Sequence, residues 1–471
     1  MNGKWSLWSS RTRRANHMLT ATTTPRATII DMKKACSLIA LAGFSLYTLH
    51  YFLSAAKPPK LFFRRRTPSS SSSSSSSKPK ERQEEEEEEA KRIRLSAEEI
   101  AERCPILFKR YFPLFLCTNA HLSTFVAAFL RSKPSIRFRR EVLLTADGGH
   151  MTLDWSLNRS DSETRGEEEE EEGCFWAWER ERAKPTIIIF HGLNGGSDAT
   201  YIRHLIKRLN ADMGEDNVRI VVANNRGAAG TVISTPRGYC GAYTEDARAA
   251  ILHVKRRIHP DSPLIAIGYS LGANILVKYL GEEGEKTPLT AAASCSNPFD
   301  FLSAAKVLER RTLYNRVLTA GCIQTFKRQL AIYSAVPEID VDAVINSVRL
   351  REFDDRLTRI IFGYDTVDDY YFDASSRFYI PAVKVPLLVI HAKDDPIVDH
   401  STLPLQECSE SAHTLFVLTE KGGHVGFPEG VIPVGNIGNW SDRVLSQFIS
   451  AVVALHREKQ QEDEDEREEE A

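Results

Sequence analysis

No two of the eight cysteines, at 36, 104, 117, 174, 240, 295, 322 and 408, stand in a C-x-x-C pair. That removes the usual thiolate spacing of a zinc site, and eight scattered thiols in 471 residues are no dense disulfide framework. They read instead as small buried apolar residues in a reducing compartment. Net charge is scarce as well, at −2. The globular part carries no basic stripe of the kind nucleic-acid binding wants, so that function class is set aside. Acid is missing from the first 30 residues, and up to Arg82 fifteen Lys and Arg face only Asp31 and Glu81. What is plentiful is apolar sequence: 42% of residues are hydrophobic, enough for a large core in one or two domains.

The chain divides by composition. Residues 1–34 form a basic segment. The stretch ACSLIALAGFSLYTLHYFLSAA, residues 35–56, follows between Lys34 and Lys57. At 1.5 Å per residue it makes about 33 Å of helix, enough to cross a bilayer core, so a transmembrane signal-anchor is expected. Basic residues on both flanks leave its orientation open. An endomembrane location of the endoplasmic-reticulum type is the first expectation, and the acid-free start makes a plastid the second. Residues 57–94, rich in Ser and Glu, read as a disordered linker. Residues 95–455 are globular in composition, interrupted by a surface insertion, GEEEEEEG. Residues 456–471 read as an acidic disordered tail.

Within the globular region EVLLTADGGHMTLDWSL reads as a hairpin turning at Asp147-Gly148-Gly149. Then come PTIIIFHG, VRIVVANNRG, SPLIAIGYS, LTAAASCSNP, VPLLVIHAKDD and HTLFVLTEKGGH, continuous apolar runs as in strands buried on both faces. Amphipathic stretches such as TEDARAAILHVKRRIH lie between them. The alternation predicts an α/β fold with a mostly parallel, doubly wound sheet and flanking helices. Residues 301–380 are too long for a plain crossover, and their helical patterns predict a lid.

The pentapeptide Gly268-Tyr269-Ser270-Leu271-Gly272 fits G-x-S-x-G, a match that chance alone gives in roughly one chain of this length in six. Its context says more. It follows an apolar strand and opens a helical pattern, where flanking glycines let a sharp turn lift the serine to the sheet's carboxyl edge. A serine nucleophile needs a base, and the base needs an acid, expected in the order Ser, acid, His. His424, in KGGHVGF after the last strand, is the expected base. His391 lies inside a strand and reads as a satisfied core histidine. Asp395, before Pro396 where a strand ends, is the expected acid, with Asp394 the near alternative and Asp300 a more distant one. The backbone N–H of Leu271, and that of Leu193 in the loop FHGLNGGSDATY, are the expected oxyanion donors. His191 is expected to shape that loop. The reading needs no cofactor and no metal.

These stretches, with NNRGAAG, GYSLGANILVKYLG, SNPFDF, REFDDRLT, FGYDTVDDYY and KGGHVGF, resemble the α/β-hydrolase superfamily, and within it AB hydrolase family 4. That group holds YheT-like esterases, membrane ABHD-type hydrolases and plant embryogenesis-associated hydrolases. The likeness spans roughly residues 104–445. It implies an α/β-hydrolase fold with Ser270, Asp395 and His424 as a triad. It also implies a membrane-associated carboxylesterase or lipase acting on acylglycerols or phospholipids. An H-x4-D acyltransferase motif is missing, since Glu429 stands five residues after His424. Two other functions stay open: an acyltransferase using the same triad, and a catalytically silent protein that binds lipid or a partner.

Overall fold

In the computed structural model, the described residues are 25–64, 95–115, 118–157, 183–431 and 437–470. Residues 1–24 of the basic segment, the serine–glutamate run and the GEEEEEEG insertion lie outside them. Two units are distinguished, Met1–His50 and Tyr51–Ala471. The first contains helix α1, Pro25–His50. The segment Ser37–Ala55, with mean hydropathy 1.4, is the one described helix long and apolar enough to cross a membrane.

The second unit is built on a nine-stranded sheet. Its strands are β1 Lys60–Phe62, β2 Phe138–Leu144, β3 His150–Ser156, β4 Thr186–Phe190, β5 Arg219–Asn224, β6 Leu264–Tyr269, β7 Ala291–Cys295, β8 Leu387–Ala392 and β9 Thr414–Thr419. The order is β1-β9-β8-β7-β6-β4-β5-β3-β2. Strands β5, β4, β6, β7, β8 and β9 run parallel, and the three edge pairings are antiparallel. β4 through β9 are buried along their whole length, which is why their sequences are continuous Ile, Val, Leu and Ala rather than alternating. One core cluster joins β4 and β5 to helix Thr200–Met213, and a second joins β6 to helix Glu245–Arg257, so helices cover both faces. The hairpin β2–β3 turns at Asp147-Gly148-Gly149, where Gly148 sits at φ 77°. Buried Arg226 reaches back to that turn, pairing with Asp147 at 2.7 Å and with Asp246 at 2.6 Å. Cys104, Cys240, Cys295, Cys322 and Cys408 are free and buried.

Two boundaries differ from the sequence reading. The expected linker at 57–94 does not begin at residue 57, because Lys60–Phe62 pairs with Leu418–Phe416 of β9. Leu61 and Phe63 pack on one core cluster and Phe62 on the other, so three apolar residues in a polar stretch are enough to complete the sheet edge. The expected disordered tail at 456–471 is helical through Glu470, as part of helix Trp440–Glu470. Its buried first half nucleates the helix. Glu, Gln, Lys and Arg then propagate it, helped by Arg103–Glu458 at 2.7 Å and Gln461–Asp465 at 2.8 Å.

Between β7 and β8 the chain builds a helical excursion that includes Phe301–Arg310, Thr312–Arg328 and Val367–Ala374. It covers the span where a lid was expected.

Candidate active site

β6 delivers Tyr269 and then turns abruptly into helix Leu271–Glu283. The turn residue is Ser270, held at φ 50° and ψ −115°, a costly conformation for a residue with a Cβ. The glycines on either side are required by contact. A Cβ on Gly268 would stand 2.5 Å from Ala273 Cα, and one on Gly272 would stand 2.5 Å from the carbonyl oxygens of both Phe190 and His191. The Ser270 N–H donates to the Cys295 carbonyl of β7 at 2.9 Å, so the backbone is tied down while the hydroxyl stays free to turn upward.

His424 arrives from the loop after β9. Its Nε2 lies 2.9 Å from Ser270 Oγ and its Nδ1 lies 2.8 Å from Asp395 Oδ2. Asp395 follows β8, and its other oxygen accepts the N–H groups of Ile397 at 2.8 Å and Val398 at 3.1 Å. Burial alone would raise this carboxyl. The His424 imidazole and the Ile397 N–H outweigh burial and hold Asp395 below the usual carboxylate range.

The other candidates lie elsewhere. Asp394 accepts the Gly423 N–H at 3.0 Å and braces the histidine's loop, with burial raising its pKa. Asp300 caps helix Phe301–Arg310 by accepting from the Ser303 N–H. His391 is a core residue as expected, fully buried with its Nδ1 3.1 Å from the Ala392 carbonyl. His191 does shape its loop: Nδ1 lies 2.8 Å from the Gly192 carbonyl, and Nε2 accepts the Asn225 N–H at 3.1 Å.

In that loop the N–H groups of Gly192, Asn194 and Gly195 donate to Tyr201 Oη, Tyr239 Oη and the Gly192 carbonyl. Among the described residues the Leu193 N–H has no such partner. The Leu271 N–H opens a helix, where no carbonyl four residues back is available within the helix. Both leucines line the chamber that holds Ser270 and His424, a cavity of about 270 Å³. Its walls are mainly apolar, with Ala304, Leu308, Leu318, Leu350 and Tyr371 supplied by the excursion between β7 and β8. A smaller chamber of about 110 Å³ adjoins it and shares Leu193, Leu271 and Asp354.

A model of the alpha/beta hydrolase fold family matches residues 185–431. Phospholipase ABHD3 of Mus musculus is 36% identical over 362 residues, 75% of this chain and 81% of its own. The chain belongs to the α/β-hydrolase family. This α/β-hydrolase is also 35% identical to Embryogenesis-associated protein EMB8 of Picea glauca, over 74% of each chain. It is 30% identical to Monoacylglycerol lipase of Saccharomyces cerevisiae, over 66% of this chain and 75% of that one.

Three features of the α/β-hydrolase site escape a reading along the sequence. Thr124 Oγ1 accepts the His424 N–H at 3.0 Å from 300 residues away, and no local pattern marks it. Ser296 Oγ accepts the Val425 N–H at 3.0 Å, with Ser296 and Val425 both at positive φ. Asp354 from REFDDRLT meets Tyr371 from TVDDYY, with Oδ2 accepting the Tyr371 hydroxyl at 2.8 Å and Oδ1 the Thr358 hydroxyl at 2.7 Å. Burial pushes the Asp354 carboxyl up to about 6. Both motifs are visible in the sequence, but only the fold shows that they meet at the chamber wall.

Proposed function

We propose that Ser270, His424 and Asp395 act as a catalytic triad in a membrane-anchored hydrolase of lipid esters. The protein is a carboxylic ester hydrolase, and the observation that carries the finer reading is the hydrogen-bonded series Ser270–His424–Asp395 beneath an apolar chamber. In this mechanism His424 Nε2 takes the Ser270 hydroxyl proton as Oγ attacks the ester carbonyl. Asp395 fixes the tautomer with the proton on Nδ1 and stabilises the imidazolium that forms. The N–H groups of Leu193 and Leu271 donate to the oxyanion, each worth about 3–4 kcal/mol of barrier. His424 then returns the proton to the leaving alcohol. Water, activated by the same imidazole, hydrolyses the acyl-enzyme and restores Ser270.

The apolar chamber suits an acyl chain. Acylglycerols and phospholipids are the substrates proposed, consistent with relatives named as a phospholipase and a monoacylglycerol lipase. The segment Ser37–Ala55 would hold the enzyme beside such lipids, on an endomembrane. A partition assay tests this function. Purified enzyme given a long-chain monoacylglycerol or a phospholipid should release free fatty acid, and Ser270→Ala should release none. Acyl transfer to added glycerol outrunning fatty-acid release would make the protein an acyltransferase instead.

A further inference from the structure

Helix Ala120–Phe125 and the π-turn Val126–Leu130 that extends it carry apolar side chains on two faces. Thr124, Ala127 and Ala128 line the chamber over Ser270. Leu122, Phe125 and Phe129 are instead 37%, 49% and 69% exposed. Helix Thr312–Arg328 repeats the arrangement, with Leu318 lining the chamber and Leu313 and Val317 exposed at 72% and 56%. The two helices are tied together where His121 Nδ1 meets Tyr314 Oη at 3.0 Å with the rings stacked. Large apolar side chains on both helices flanking the chamber thus face solvent, where scattered single ones would be ordinary.

Two observations say what covers this face. The first is continuity. Val126 packs on Leu114, and the residues beside Leu114 seat the end of the apolar segment Ser37–Ala55. The Tyr51 hydroxyl donates to the Pro113 carbonyl at 2.7 Å, and the Tyr51 ring meets Phe115 edge-on. Exposed Phe52 and Phe112 lie against each other there, 6.4 Å between centroids. The second is charge. Between Arg103 and Arg140 the sequence has not one Asp or Glu, and exposed Lys109 and Arg110 stand between Phe108 and Phe112. Exposed Arg310 ends helix Phe301–Arg310, exposed Arg311 follows it, and exposed Arg316 lies on helix Thr312–Arg328. Apolar and aromatic side chains interleaved with cations match an anionic bilayer surface, the acyl region taking the rings and the headgroups the charges.

We propose that this face is a second membrane contact, additional to the N-terminal segment, which sets the catalytic chamber against an anionic bilayer so that lipid enters without crossing water. The surface itself rests on the exposed side chains; its use in catalysis rests on the Ser270 reading above. The test uses the full chain in vesicles of phosphatidylcholine with or without phosphatidylserine. With Cys36, Cys117 and Cys174 replaced by Ser, an environment-sensitive label is placed through Phe129→Cys or, at the far edge of the sheet, Val142→Cys. Quenching by nitroxide-bearing lipids at 129 but not at 142, stronger with phosphatidylserine, is the expected result. Equal quenching at the two positions would overturn the proposal, as would labels that both stay in water. A second arm compares Phe125→Ser/Phe129→Ser with wild type. Hydrolysis of a long-chain ester in vesicles should fall by roughly tenfold or more while a soluble short-chain ester is cleaved at the same rate. Parallel loss on both esters, or loss on neither, contradicts the docking role. A wild type that cleaves neither ester, together with quenching of the label in the Phe129→Cys variant, would refute the catalytic reading and leave the surface standing.

Discussion

At the scale of single residues, the site depends on side chains holding other side chains in place. His424 can meet Ser270 and Asp395 together only while its own backbone is fixed, and the Thr124 hydroxyl takes its N–H at 3.0 Å. Thr124→Val removes that acceptor and leaves a half-buried N–H unpaired, a loss of about 1–3 kcal/mol. In that variant kcat should drop about tenfold or more with KM little changed, and Thr124→Ser should keep the wild-type value. A valine variant with unaltered kcat would remove Thr124 from the positioning role. Gly272 makes a stability prediction. The Ala variant would place its Cβ 2.5 Å from the backbone carbonyl oxygens of Phe190, which ends β4, and of His191 after it, and these cannot move aside as a side-chain tip can. Thermal unfolding should show a loss of about 2–3 kcal/mol or more. An unchanged Tm would mean that helix Leu271–Glu283 does not approach β4 so closely.

At the scale of elements, Asp354 links two helical pieces of the excursion. Its carboxyl has neutral hydroxyl partners and a folded pKa of about 6, above its ordinary value, because burial disfavours the charge. A carboxyl raised in this way costs the fold stability when ionised. The cost is largest above pH 6 and is relieved as pH falls towards about 4. Measured against Asp354→Asn, wild type should gain stability as pH drops through that window. A difference that stays flat from about pH 7 to 4 would show that the carboxyl is not desolvated as described. Legibility also divides at this scale. The six parallel strands could be read directly, because burial on both faces leaves continuous apolar runs. β1 could not, since three residues in a polar stretch carry no period and gain their strand only from the free edge of β9. The helix through Glu470 was hidden by its charge, which reads as disorder until the buried half from Trp440 is seen to nucleate it.

For the molecule as a whole, strand ends converge on one point. Ser270 after β6, Asp395 after β8 and His424 after β9 were each suggested by position alone, because a parallel sheet sends all those ends to the same edge. Thr124, Asp354 and Tyr371 come from segments outside the sheet, and nothing in a linear pattern says where such segments fold back. In the proposed mechanism these parts together activate Ser270 as a nucleophile. Covalent labelling with a fluorophosphonate, read by mass on the modified peptide, tests it most directly. One adduct on Ser270 is expected, absent in Ser270→Ala and strongly reduced in His424→Ala. A folded wild type that stays unlabelled, or carries the label on another residue, would contradict it.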